Sequence, residues 1–269
     1  MRKSMIVVAA LAALALPGVA AADVLDKVKQ RGTLVVGVKT DYKPFGFRDP
    51  SGAIIGIEPD LAAEVAKKLG VKLELVSVLS ANRMEFLQQG RIDLMIATMS
   101  DKPERRKVVQ VIEPLYYSDA ANILLAKSVT ITKWEELKGK KLCGTTGAFY
   151  NKDVTQKYGI EIISFDGSEK PLLALKNGDC VGYLYDQTFI VGKLSEADWK
   201  TGFHMPLPGI METPWAMAVK PGEAALQKLM EDLTKDWMRT GLIVELEKKW
   251  GVPPTDYAKR MHEAAKKGS

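Results

Sequence analysis

The sequence predicts an α/β protein of two lobes, each a mainly parallel sheet flanked by helices, joined by two single strands. Three observations carry this. First, strand-like runs and helical periodicity alternate from Thr33 onward. Second, a similar alternation starts again near Thr130. Third, two isolated apolar runs, 122–126 and 215–219, stand at the ends of the second cycle, and amphipathic helices follow the latter. The expected boundaries are a leader at 1–22, lobe one at 23–126, lobe two at 127–216, and a return to lobe one at 217–269.

The leader reads as a secretory signal peptide. Arg2 and Lys3 precede an apolar core at 6–16, Pro17 and Gly18 break it, and Ala20, Ala21 and Ala22 form a small-residue cleavage site. The core is too short to span a bilayer. No cysteine follows it, so no lipid anchor is expected, and the mature chain is expected to be soluble and exported.

Beyond the leader, 24–30 is a short helix leading into the β-branched run 33–38. Tyr42, Pro44, Phe45 and Phe47 lie in a loop, and Asp49-Pro50-Ser51-Gly52 is a turn. Pro59 opens a helix with Glu58 and Asp60 at its positive end; Leu61, Val65 and Leu69 repeat at helical spacing, and Gly70 closes it. A strand follows at 71–75, and a short helix at 82–89. The second cycle has a short helix at 134–137, strands at 141–143, 161–165 and 180–185, and a helix at 171–176. A long amphipathic helix after Pro221-Gly222 breaks near Gly241, and Lys266, Lys267 and Gly268 read as a frayed end.

The stretch 92–105 organises the first half. Ile92, Leu94, Met95, Ile96 and Ala97 form a buried strand, Thr98, Met99, Ser100 and Asp101 a loop, and Pro103 a helix start with Glu104 in its first turn. This aims hydroxyls, backbone N–H groups and Arg105 at the C-terminal end of a strand, where open α/β sheets bind ligands. Arg105 can hold a carboxylate through two parallel hydrogen bonds, which lysine cannot copy. From spacing alone, however, Arg105 reads first as a solvated helix charge, like Arg106 and Lys107.

Composition excludes several classes. Removing 1–22 takes two of the 38 basic residues and none of the 33 acids, leaving about +3. The charges are interspersed, with no basic block, so nucleic acid is not a partner. His204 and His262 are the only histidines, and neither has ligand spacing to a cysteine. No metal or cofactor is expected. Cys143 and Cys180 are the only cysteines, and in an exported chain they are expected to pair; two buried thiols are the alternative.

The chain resembles the periplasmic solute-binding proteins of polar amino-acid ABC transporters (family 3 type). The residues that carry this are Tyr42-Lys43-Pro44-Phe45, Gly56-Ile57-Glu58-Pro59-Asp60-Leu61-Ala62, Gly90-Arg91-Ile92-Asp93, Pro103-Glu104-Arg105 and Pro114-Leu115-Tyr116-Tyr117. In the second half they are Leu137-Lys138-Gly139-Lys140-Lys141, Tyr185-Asp186 and Trp215-Ala216-Met217-Ala218-Val219. No single motif decides it; the set, in the family's order, is specific.

The resemblance implies the type II periplasmic-binding-protein fold, closing on a free amino acid delivered to an ABC permease in the inner membrane. A monomer in the periplasm is the expected state. The resemblance reverses the reading of Arg105, which falls on the family's carboxylate-binding arginine. Thr98 and Ser100 fall on the neighbouring hydroxyl or backbone contacts. Asp186 falls on the acid that holds the ligand's ammonium, its alternative being a turn cap. A zwitterion would thus bridge the lobes and favour closure. Tyr42 falls on an aromatic lid position.

Two departures stand out. Gly147-Ala148-Phe149-Tyr150 replaces a hydroxyl-bearing helix start, so Ala148 offers only its backbone N–H, while Phe149 or Tyr150 either walls the pocket or packs in the core. Ser80 stands where many members carry an aromatic platform.

Ser80-Ala81-Asn82-Arg83 resembles the stretch that glutamate- and aspartate-binding relatives use for the side-chain carboxylate, and Lys39 falls near another basic position. Cations beyond Arg105 suit a dicarboxylic ligand, because a buried charge without a partner is costly. Alternatively, Arg83 and Lys39 are solvated, and the ligand is a neutral polar or aromatic amino acid. The rival function is a cyclohexadienyl or arogenate dehydratase-like enzyme on the same fold. That chemistry needs a proton donor at the leaving group, and neither histidine falls in a motif position; Glu212 and Asp101 remain candidates. A sensor ectodomain is a third reading.

Overall fold

The computed structural model describes residues 23–268. The expected leader, 1–22, lies outside the described residues. No helix among the described residues is long and apolar enough to cross a membrane.

One long sheet runs through the molecule. Its main path orders the strands Glu161–Phe165, Lys141–Thr145, Gly182–Asp186, Tyr117–Ala126, Ile210–Val219, Leu94–Ser100, Thr33–Val38 and Lys72–Ser77. The three strands at each end are parallel to one another. Between them Tyr117–Ala126 and Ile210–Val219 run antiparallel to each other and to their outer neighbours. These two strands join the lobes. A separate small sheet pairs Asp41–Tyr42, Gly46–Arg48 and Ile54–Ile55.

The joining strands are each ten residues long, twice the length that the apolar runs mark. Ser118 and Asp119 interrupt the apolar pattern, yet their backbone pairs with Pro214 and Thr213. The register shifts between Ile210 and Thr213, with Met211 at φ 54. Such an irregularity bends a strand, here where it passes from one lobe to the other.

The strand Leu94–Ser100 is buried at all seven positions. It takes in Thr98, Met99 and Ser100, which the sequence reading places in a loop. Met99 and Ser100 pair with Ala216 and Trp215, so tertiary pairing extends the strand beyond its apolar run. The next helix, Pro103–Arg106, is only four residues long.

The helix Ile57–Leu69 starts two residues before Pro59 and ends at Gly70 in the left-handed conformation. Its start is pinned by the N–H groups of Ile57 and Glu58, which donate to the carbonyls of Pro44 and Phe45. Glu58 is therefore drawn inside rather than left facing water at the helix end.

The C-terminal end corrects the expectation of fraying at Lys266–Gly268. Asp256–Lys267 is a helix, started by Thr255, whose hydroxyl accepts from the N–H of Ala258. It packs on the helix Ala224–Thr240, and the His262 ring bonds the Met238 carbonyl at 2.7 Å. Ala258 is its one fully buried residue, which is why its apolar signal is faint.

Cys143 and Cys180 form a disulfide with a Cα–Cα distance of 5.6 Å. It ties the strand Lys141–Thr145 to the residue that leads into Gly182–Asp186. A belt of aromatic rings (Tyr42, Phe45, Tyr117, Tyr185, Phe189 and Trp215) packs around the joining strands, some pairs edge to face and others tilted.

Candidate functional site

The site lies at the C-terminal end of the strand Leu94–Ser100. Arg105 is 7% exposed. Its Nη1 donates to the Ser100 carbonyl and its Nη2 to the Gly147 carbonyl, both at 2.9 Å. The second bond crosses from one lobe to the other. Burial pushes the guanidinium down to about 10, and the nearby charge of Arg83 adds to the effect. Arg106, one residue on, behaves as the solvated alternative predicts. It faces outward and pairs with Asp101 and Glu113.

Arg83, at the first turn of the helix Arg83–Gln88, is also buried. Its Nη1 donates to the Ala97 carbonyl and lies 3.4 Å from the Thr98 hydroxyl, while its buried Nε has no hydrogen-bond partner among the described residues. Burial lowers its pKa; the Tyr185 and Asp186 side chains oppose this most. Thr98 is held at φ 47, an uncommon conformation for a β-branched residue. Its N–H donates to Glu58 Oε1 at 2.7 Å.

Asp186 ends its strand and faces these groups from the second lobe. As the alternative reading has it, the residue sits at the N-cap of the helix Gln187–Leu194, but its side chain makes no capping bond. Instead it accepts the Tyr150 hydroxyl at 3.0 Å. Burial raises Asp186 to about 6, against the lowering effect of hydrogen bonds from Tyr150 and Tyr42. Burial raises Asp119, on the joining strand, as well.

Ser80, Arg83, Thr98, Ser100 and Arg105 on one side, and Ala148, Phe149, Tyr150, Tyr185 and Asp186 on the other, enclose a nearly closed cleft with about 10 Å³ of free volume. That is room for no more than about one water molecule. The Lys102 ammonium sits 3.8 Å over the Phe149 ring and helps hold the two sides together.

A sequence profile described as bacterial extracellular solute-binding proteins, family 3, matches residues 34–253. The chain belongs to that family. It is 30% identical over 234 residues to the ABC transporter glutamine-binding protein GlnH of Bacillus subtilis (strain 168), spanning 85% of this chain and 84% of that protein. The crystal structure of a cysteine-binding protein from Campylobacter jejuni superposes with a TM-score of 0.79 at 26% identity, covering 88% of this chain and 94% of that one. An ancestral amino acid-binding protein, described as a precursor of cyclohexadienyl dehydratase, gives 0.76 at 26% identity, covering 84% and 99%. The family 3 solute-binding protein thus has the type II two-lobed fold.

Of the ten ligand-binding candidates read from the sequence, the family 3 protein brings eight to the cleft wall. The other two lie behind it. Tyr42, the lid candidate, sits wholly buried in the aromatic belt against Tyr185, with its hydroxyl 3.0 Å from that of Thr188. Lys39 is buried too, 2.9 Å from Asp41 Oδ1. Asp41 in turn accepts the N–H of Ser168 across the lobes.

Phe149 and Tyr150 both line the cleft, so the either-or reading of that stretch gives way to a shared wall. Sequence reasoning passed over Tyr185, Glu58 and Asp119. Tyr185 stands beside Asp186 in a recognised motif, which was its only signal. Glu58 carried the opposite signal, since an acid in a helix's first turn is normally solvated.

Proposed function

We propose that this solute-binding protein captures a free amino acid from the periplasm and passes it to the permease of an ABC importer in the inner membrane. Lobe one is taken as 23–126 with 217–269, and lobe two as 127–216. Arg105 takes the ligand's α-carboxylate, aided by Ser100 and Thr98, and displaces the Gly147 carbonyl to do so. Asp186 takes the ammonium. The observation that carries the reading is one cleft with a buried arginine on one wall and a buried aspartate on the other. A zwitterion satisfies both, and neither charge is stable alone in such a place.

The second guanidinium, Arg83, supports a dicarboxylic amino acid, glutamate or aspartate. Its buried Nε without a partner suits an acceptor on the ligand side chain. A thermal-shift screen of protein stripped by unfolding and refolding tests this. Glutamate or aspartate should raise the melting temperature most; a ligand at 100 times its Kd adds about 2.7 kcal/mol. Arg83→Ala should erase the glutamate shift while reducing a glutamine shift less. A dominant shift with a neutral amino acid would discard the acidic ligand but keep Arg105 and Asp186. Turnover of arogenate or prephenate would overturn the transport reading itself.

The raised Asp186 adds a pH signature. Its pKa of about 6 in the free protein should fall when an ammonium group pairs with it, so binding releases a proton below that value. Affinity for any amino acid should therefore rise as the pH increases from 5 to 7. Calorimetric titrations showing no such rise would count against Asp186 as the ammonium partner.

A further inference from the structure

Glu58 is fully buried in the first turn of the helix Ile57–Leu69. Its Oε1 accepts two hydrogen bonds, from the Thr98 N–H at 2.7 Å and the Tyr116 hydroxyl at 2.5 Å. Its Oε2 is also buried and has no hydrogen-bond partner among the described residues. Thr98 holds a backbone conformation that β-branched residues rarely adopt, so it needs such support. The same threonine turns its hydroxyl toward Arg83. Glu58 thus stands one residue behind the cleft wall, bonded to the backbone of the threonine whose hydroxyl faces Arg83.

We infer that Glu58 is a positioning and specificity-determining residue of the amino-acid site: it holds Thr98 in place and balances Arg83 until a ligand's side-chain carboxylate replaces it in that second role. This rests on the acidic-ligand reading above. When such a carboxylate arrives, two carboxylates compete for one buried guanidinium. Glu58 then takes a proton from solvent onto its free Oε2, and Oε1 keeps both donors. Burial already raises Glu58 to about 7, so the proton is available near neutral pH. A neutral side chain makes no such demand, and Glu58 keeps its charge opposite Arg83.

The groups that act on Glu58 are Tyr116 and the Thr98 N–H by hydrogen bonding, and Arg83 and Lys39 by charge. Asp186 and Asp119 also have raised pKa values. Both answer to the ligand's ammonium, which every amino acid carries, but Asp186 also faces Arg83 and acts on it more strongly than Glu58 does. The loss of the acidic-against-neutral difference in Glu58→Gln is therefore what assigns it to Glu58.

Calorimetric titration of the wild-type protein with glutamate and with glutamine (or the tightest neutral binder) tests this. Two buffers of different ionisation enthalpy count the protons. Glutamate should take up about half a proton more than glutamine at pH 7, and close to one more at pH 8. The ratio of the glutamate Kd to the glutamine Kd should rise about fivefold over that unit. Glu58→Gln keeps an acceptor oxygen for Thr98 and Tyr116 and should abolish both differences. Equal proton counts for the two ligands in the wild type overturn the inference without any variant. A glutamate-specific slope that survives in Glu58→Gln overturns it as well. If neither dicarboxylic amino acid binds at any pH, the acidic reading fails and takes this inference with it. Glutamate binding without the slope sinks this inference alone.

Discussion

Arg105→Ala is expected to weaken amino-acid binding by about 2–5 kcal/mol, the cost of leaving a charged partner unpaired in a desolvated site. The fold should survive the change. Among the described residues the Arg105 side chain bonds two backbone carbonyls, those of Ser100 and Gly147, and its backbone bonds to Lys102, Val108 and Val109 remain in the variant. The loss should appear in titration calorimetry as at least a thirtyfold rise in Kd, with the melting temperature of the ligand-free protein little changed. Arg105→Lys should fail to restore affinity, since an ammonium cannot match two carboxylate oxygens in parallel. Binding close to wild type in either variant would move the carboxylate site elsewhere in the cleft, with Arg83 the next candidate.

Breaking the Cys143–Cys180 bridge is expected to cost about 4 kcal/mol of folding stability. The bond closes a loop of 37 residues, and the chain-entropy model gives that magnitude for such a loop. The bridge lies within the second lobe and ties the strand that carries Gly144 and Thr145 to the segment just before the strand that ends at Asp186. Both cysteines are buried, so the double Cys143→Ala, Cys180→Ala variant avoids burying new hydroxyls. Denaturant unfolding of this variant should show a lower midpoint than the oxidised wild type, and reducing agent should lower the wild type toward it. Two free thiols in the denatured, unreduced protein would refute the bridge. Because the cleft walls lie on both lobes, ligand affinity should fall less than stability does.

The strongest feature legible in the chain was local. Thr33–Val38 emerged with the bounds its β-branched residues marked, and Gly70 and Gly241 end their helices in the left-handed conformation that favours glycine. The alternation of strands and helices, the two joining strands and the pairing of the cysteines followed from pattern and compartment. Eight of the ten candidate residues line the cleft; they came from the family resemblance, since spacing alone left Arg105 a solvated charge.

Other features took shape only when distant segments met. Thr98–Ser100 became strand through pairing with Trp215 and Ala216, more than a hundred residues away. Tyr42 was captured by an aromatic belt that no local pattern encodes, and Lys39 by Asp41. Glu58 is the clearest case. Its sequence position describes a solvated charge at a helix start, and local rules have no means of moving it. Tertiary packing sealed that helix start against Pro44 and Phe45, leaving the carboxylate no water and two donors. The sequence by itself determined which residues carry charge, in what order strands and helices alternate and which family's order they follow. Only the tertiary structure decided which of those charges are buried together, because burial and pairing depend on contacts between segments that sequence order does not place side by side.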